Sequence, residues 1–134
     1  MLVDLAERGR IVAVRTVAAR VLRGSLHHLG IDFLALSDGL GEVTLVPLSS
    51  ITALSPEPGT PSTLGDRMVQ TNGTLAHALV DVAGEGSTVS LHSVAGDRFA
   101  GRLAAVGRDV LVVATASGHQ SYVPLPAVND VVVK

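Results

Sequence analysis

Five histidines, a run of arginines and twelve carboxylates are the residues of this chain with chemistry to offer, and their spacing decides which chemistry is open. His27 and His28 are adjacent. On a strand such neighbours point to opposite faces, which suits a single metal ion poorly. His77, His92 and His119 are scattered, with no carboxylate at ligand spacing around them, so no metal site is read. Serines are frequent, yet none stands in a G-x-S-x-G elbow. No glycine run has the G-x-x-x-x-G-K form that cradles phosphate. The chain reads as non-enzymatic, and no cofactor is expected.

Arg8, Arg10, Arg15, Arg20 and Arg23 form the one basic cluster. Arginine suits phosphate contacts, and single-strand binders add aromatic platforms on which bases stack. Tyr122 is the residue able to serve as that platform. A nucleic-acid face would therefore consist of Arg10, Arg15, Arg20 and Arg23 with Tyr122. Asp4 and Glu7 stand beside the cluster, the net charge is −2 and aromatics are 2% of the chain, so a solvated strand face is the favoured reading. Asp32 and Asp109 each follow a turn glycine, where an aspartate routinely accepts turn N–H groups.

The elements that would carry these residues come from an internal repeat. At a constant offset of 77 residues, Leu2-Val3-Asp4 meets Leu79-Val80-Asp81, Gly24-x-Leu26 meets Gly101-x-Leu103, and Gly30-x-Asp32-x-Leu34 meets Gly107-x-Asp109-x-Leu111. Val46-Pro47-Leu48 likewise meets Val123-Pro124-Leu125. Repeats of this kind fix the organisation before any element is assigned. The unit spans residues 1–57 and again 79–134, with a connector over 58–78 that opens on Pro58-Gly59-Thr60-Pro61-Ser62. Leu64 to Val69 is read as a further helical turn within it.

Averaging the copies yields a short helix followed by five strands. Leu75, Ala78, Leu79 and Val82 fall at helical spacing, with Thr74 as N-cap and Gly84 as stop. The helix of the first copy is shorter. Ile11–Val17 and Thr88–Val94 alternate, with Val12, Val14, Val89 and Leu91 on the inner face. The second strand carries Gly24 or Gly101, as strongly bent strands require. The third, Phe33–Leu36 or Val110–Val113, is apolar on both faces and so buried on both. The fourth, Val43–Val46 or Gln120–Val123, stops at Pro47 or Pro124. Ile51–Leu54 or Val128–Val133 forms the fifth.

A helix, five strands, G-x-L closing the second strand and V-P-L before the fifth resemble the Sm/Lsm superfamily. The pairs Gly30-x-Asp32-x-Leu34 and Gly107-x-Asp109-x-Leu111, each followed by V-P-L, are similar to actinobacterial Sm-like proteins of unknown function. The resemblance implies a mainly β protein of two tandem five-stranded small β-barrels, each preceded by a short helix. It also implies RNA binding through an Asn on the third strand and an Arg-Gly before the fifth. Those positions here hold Leu34 and Leu111, and Pro47-Leu48 and Pro124-Leu125, so both copies lack the donors. The Lys-His pair of the bacterial RNA-chaperone type is missing as well.

The expected partner is the chain itself, through pairing of barrel edges, either within one chain or between chains; three chains would make a six-barrel ring. A protein partner is open, RNA is the less favoured alternative, and no membrane is expected. With no cysteine for disulfides and no apolar run near the ~20 residues that cross a bilayer, a soluble cytoplasmic protein is expected. The start lacks a basic leader.

Overall fold

The computed structural model describes residues 11–56, 69–70 and 73–134. The first half supplies β1 (Ile11–Thr16), β2 (Val21–Leu29), β3 (Phe33–Ser37), β4 (Val43–Pro47) and β5 (Ile51–Pro56). A short strand β6 (Val69–Gln70) and one helix, α1 (Leu75–Glu85), lead into the second half. That half contains β7 (Thr88–Ser93), β8 (Arg98–Val106), β9 (Val110–Ala114), β10 (Gln120–Pro124) and β11 (Val128–Val133). The chain is mainly β. The helix expected before the first copy and Arg10 lie outside the described residues.

Ten strands form one antiparallel path, β10-β9-β8-β7-β11-β4-β3-β2-β1-β5, and β6 adds in parallel to β2. Within each half the fifth strand lies beside the first, so the local order is 5-1-2-3-4 in both. The registers repeat at the sequence offset. Val12 faces Gly24 as Val89 faces Gly101, and Phe33 faces Pro47 as Val110 faces Pro124. Even the irregularities recur, in β2 between Leu26 and His28 and in β8 between Leu103 and Ala105.

The bends need their glycines. A Cβ on Gly24 would lie 2.8 Å from the Ser37 carbonyl oxygen, and one on Gly101 would collide with the carbonyl oxygen of Ala114. Backbone cannot retreat as a side chain can, so only glycine lets the second strand cross the third this closely.

Each half has its own apolar core. Val12, Val14, Leu22, Leu26, Leu34, Leu36 and Val46 form the first. Val89, Leu91, Leu103, Leu111, Val113, Val123, Val128 and Val131 lie in the second, which also takes in Phe33, Ala35 and Leu45 from the first half. Residues of β3 thus alternate between the two clusters, and Phe33 to Leu36 are buried on both faces as expected. In β9, by contrast, Val110 and Val112 remain half-buried. Phe33 and Ala35, unlike Val110 and Val112, pack in the cluster that holds the second-half core together with Leu75 and Leu79 of α1.

Helix α1 starts as its sequence dictates. Thr74 accepts the His77 N–H at 3.2 Å, and Asp32 Oδ1 accepts the Leu75 N–H at 2.8 Å. Asp32 therefore caps a helix over 40 positions away rather than its own turn, and so pins the connector to the first half. The helix runs through Gly84 and stops at Gly86, which adopts the left-handed conformation (φ 68°) that ends helices. Gly84 meets nothing within 4 Å of a notional Cβ, so it imposes no break. Of the helical turn expected over Leu64–Val69, residues 64–68 lie outside the described residues, whereas Val69 sits in β6, paired with His28 of β2.

Candidate assembly interface

The two halves meet where β11 pairs with β4: Val131 faces Leu45, Val132 faces Thr44 and Val133 faces Val43. The fifth strand of the second half thus completes the fourth strand of the first. Among the described residues the path then ends at two strands with one neighbour each, β5 from the first half and β10 from the second. These are the strand types that meet inside the chain.

Beside the internal junction lies a buried polar cluster. β11 is valine-rich except for Asn129 and Asp130, both fully buried. A bulge between Val128 and Asp130 inserts Asn129 as an extra residue. Asn129 Nδ2 donates to Thr16 Oγ1 at 2.9 Å and to Asp130 Oδ1 at 2.7 Å, while its Oδ1 accepts the Ala18 N–H at 3.2 Å. Ser50 Oγ lies 2.8 Å from the Asn129 carbonyl oxygen and 3.0 Å from that of Pro47, sharing its one proton.

Asp130 is the hub. Arg20 Nε donates to its Oδ1 at 3.0 Å and Arg20 Nη2 to its Oδ2 at 3.4 Å; His92 Nδ1 lies 3.1 Å from Oδ2. A carboxylate with no exposure is tolerable only when charge and lone pairs are answered in this way. Burial holds His92 below the ordinary imidazole value of 6.5 and, with help from Arg20, outweighs the opposing pull of Asp130. His92 at neutral pH is therefore the neutral tautomer that donates from Nδ1. Arg20 and Thr16 come from the first half, whereas Asp130, Asn129 and His92 come from the second, so the cluster ties the halves at one register.

Of the residues assigned to a nucleic-acid face, the four that are described, Arg15, Arg20, Arg23 and Tyr122, lie in three separate places. Arg20 is bound to Asp130. Arg15 and Arg23 are exposed on the outer face of β1 and β2, with Ile11, Val17 and Val21 around them. Tyr122 is 67% exposed on β10, at the opposite end of the strand path, its hydroxyl donating to Gln120 at 3.3 Å.

Two clefts flank these surfaces. One of ≈ 480 Å³ lies between the turns of the two halves, lined by Ile31, Asp32, Pro47, Leu48, Ser49, Leu75, Asp109, Leu125 and Pro126. Its charged side chains are two aspartates, which repel a phosphate. The other, ≈ 370 Å³, lies between α1 and β2–β4 and contains His27, His28, His77 and Asp81 beside Phe33 and Leu45. Both His27 and His28 line it, against the expectation of opposite faces. The irregular register between Leu26 and His28 interrupts the alternation of the strand there. His28 stacks on Phe33 with ring centroids 5.8 Å apart, and burial, then the neighbouring His27, lowers its pKa. Among the described residues no three potential ligands converge on a metal position.

Asn129 and Asp130 were not singled out from the sequence. Their signal was present: a polar pair inside the run Val128–Val133, at positions where the first copy has Thr52 and Ala53. The charge reversal between Arg20 and Asp97 was legible at the same offset.

Comparison of the chain with protein-family models and with curated proteins finds no match. Among the described residues no helix is long and apolar enough to cross a membrane.

Proposed function

We propose that this chain is a non-catalytic tandem module of two Sm-like barrels, over residues 1–57 and 79–134, whose activity is assembly with further copies of itself. One observation carries the reading. The chain already joins a fifth strand to a fourth at β11·β4, and among the described residues one strand of each kind, β5 and β10, keeps one edge unpaired at the ends of the path. Unpaired strand edges are templates for association unless they are covered or blunted. A junction of unlike surfaces, repeated, closes into a ring if the rotation allows and extends into a filament if not. The matching registers of the two halves and the apolar outer face of β9–β10, with Val110, Val112 and Tyr122, support the same reading.

Binding of RNA or single-stranded nucleic acid through the Arg-bearing face of the first half has less support. Arg20 is taken up by Asp130, and the cleft between the turns is rimmed by Asp32 and Asp109.

Light scattering on a sizing column, over a concentration series in the micromolar range, tests the assembly reading. Masses above that of one 13.7 kDa chain are expected. A strict monomer throughout, or salt-dependent oligo(U) binding by a monomer, would overturn it.

A further inference from the structure

The two free edges carry a charge pairing of their own, readable by moving the internal junction by one repeat. Inside the chain Arg20 of the first half meets Asp130 of the second, with His92 directly across from Asp130 in the β7–β11 register. At the 77-residue offset the position of Arg20 is held by Asp97, that of Asp130 by Ala53, and that of His92 by Arg15. Arg15 lies directly across from Ala53 in the β1–β5 register, as His92 does from Asp130. Both Arg15 and Asp97 are exposed in the single chain.

We infer that the β5 edge of one chain docks on the β10 edge of a second copy, with Arg15 of the first paired to Asp97 of the second. This rests on the edge-pairing reading above and adds the residues that select the partner edge. The register follows from the internal one: Leu54 opposite Tyr122, Ser55 opposite Ser121 and Pro56 opposite Gln120. The sign of the turn charge is reversed between the two junctions; the carboxylate facing it gives way to neutral Ala53, and the residue across from that position changes from His92 to the cationic Arg15. Alanine at 53 removes the carboxylate that would otherwise confront Asp97, and the space it vacates lies between Arg15 and Asp97.

The same arrangement discourages wrong pairings. A β11 exchanged onto the β10 of another chain would bring Asp130 against Asp97. A β5 docked on a foreign β4 would bring Arg15 against Arg20. Like charges brought together in a contact cost more than an exposed ion pair gains, so the pattern sorts edges chiefly by repulsion.

Three variants test this: Arg15→Asp, Asp97→Arg and the double exchange, each followed by light scattering and sedimentation at low and high salt. Both positions of substitution are exposed strand or turn sites, and urea midpoints within error of the parent establish that each variant is folded. Each single reversal is expected to raise the dissociation constant between chains about tenfold or more at low salt, and the double exchange to return it to within about threefold of the parent. If the parent assembles and the single reversals leave its dissociation constant unchanged, the charge pairing is wrong while edge assembly stands. If the parent is monomeric throughout, both fall. As a check on register, single-cysteine chains Ser55→Cys and Ser121→Cys, mixed and oxidised, are expected to form a covalent heterodimer. Equal yields of the two homodimers and no heterodimer would overturn the assigned edges.

Discussion

Replacing Asp130 by alanine removes the hub of the internal junction without asking the backbone for anything new, because the corresponding strand position in the first half is already Ala53. The carboxylate has no exposure, and its loss leaves His92 Nδ1 and one donor of Asn129 without their acceptor. Breaking a fully buried ion pair costs about 3–5 kcal/mol. The Arg20 side chain is 35% exposed and can turn to water, which brings the cost below that range, to about 2–3 kcal/mol. Each unmet neutral donor is worth about 1 kcal/mol of that total. For a chain of this size the melting temperature should fall by about 6–15 °C. Urea unfolding measures the loss directly, and the slope m should stay constant, since the surface exposed on unfolding scarcely changes. Arg20→Ala and the double variant complete a cycle whose coupling energy should be about 1 kcal/mol or more. A loss under about 0.5 kcal/mol, or additive single effects, would refute the view that Asp130 holds the halves together.

Stability should also fall with acid. His28 and His92 are both held below 6.5 in the folded chain, so below that pH the unfolded chain takes up protons that the folded one refuses. The contribution is complete above 6.5 and is lost as pH falls toward the depressed folded values. Urea midpoints at pH 7.5 and 5.0 should differ in that sense, and the difference should shrink in His28→Asn plus His92→Asn; equal midpoints in the parent would sink the argument. Gly101→Ala should cost about 2 kcal/mol or more, or abolish soluble expression, since its Cβ meets the Ala114 carbonyl; a neutral effect in thermal melts would mean the β8–β9 crossing can relax. Leu79→Ala, at a position with no exposure, should cost about 2–5 kcal/mol, and protection of β3 amides in hydrogen exchange should drop with it if α1 covers that strand.

The strands were legible because the repeat supplied two samples of each element, and turn glycines recur at one offset. The hydrophobic alternation of Val12 and Val14, or Val89 and Leu91, told inside from outside correctly. The double-sided burial of β3 was legible too, from four apolar residues in a row. What covers its second face was not, because α1 stands more than 40 positions away and only tertiary packing brings Leu75 and Leu79 there. Gly84 misled for a related reason: glycine lowers helix propensity, but the helix end is fixed by left-handed Gly86 and by packing. Asp32 was read as local chemistry and proved to be a distant cap. The polar hub escaped for the same cause, since Arg20 and Asp130 are far apart in the chain and neither residue alone announces its partner.

The differences between the copies now have a physical order. Fusing two units makes one of the strand junctions intramolecular, and its effective concentration is then set by a connector rather than by the amount of protein. Such a junction need not dissociate with dilution, so it can hold a buried carboxylate whose exposure and re-burial would burden a reversible contact. Under the proposed assembly the free edges face the opposite demand. They are solvated whenever chains are apart, and their charges must be content in water as well as in the assembly. Ala53 with exposed Arg15 and Asp97 meets that demand, whereas a second Asp130–Asn129 pair on β5 would not. On this view the polar substitutions that distinguish the halves separate a permanent junction from a concentration-dependent one. Transplanting Thr52→Asn, Ala53→Asp and Asp97→Arg should therefore convert the free edges into a second tight junction. Assembly should then persist at dilutions where the parent dissociates; a transplant that weakens assembly instead would mean the internal cluster owes its strength to the tether and not to its chemistry.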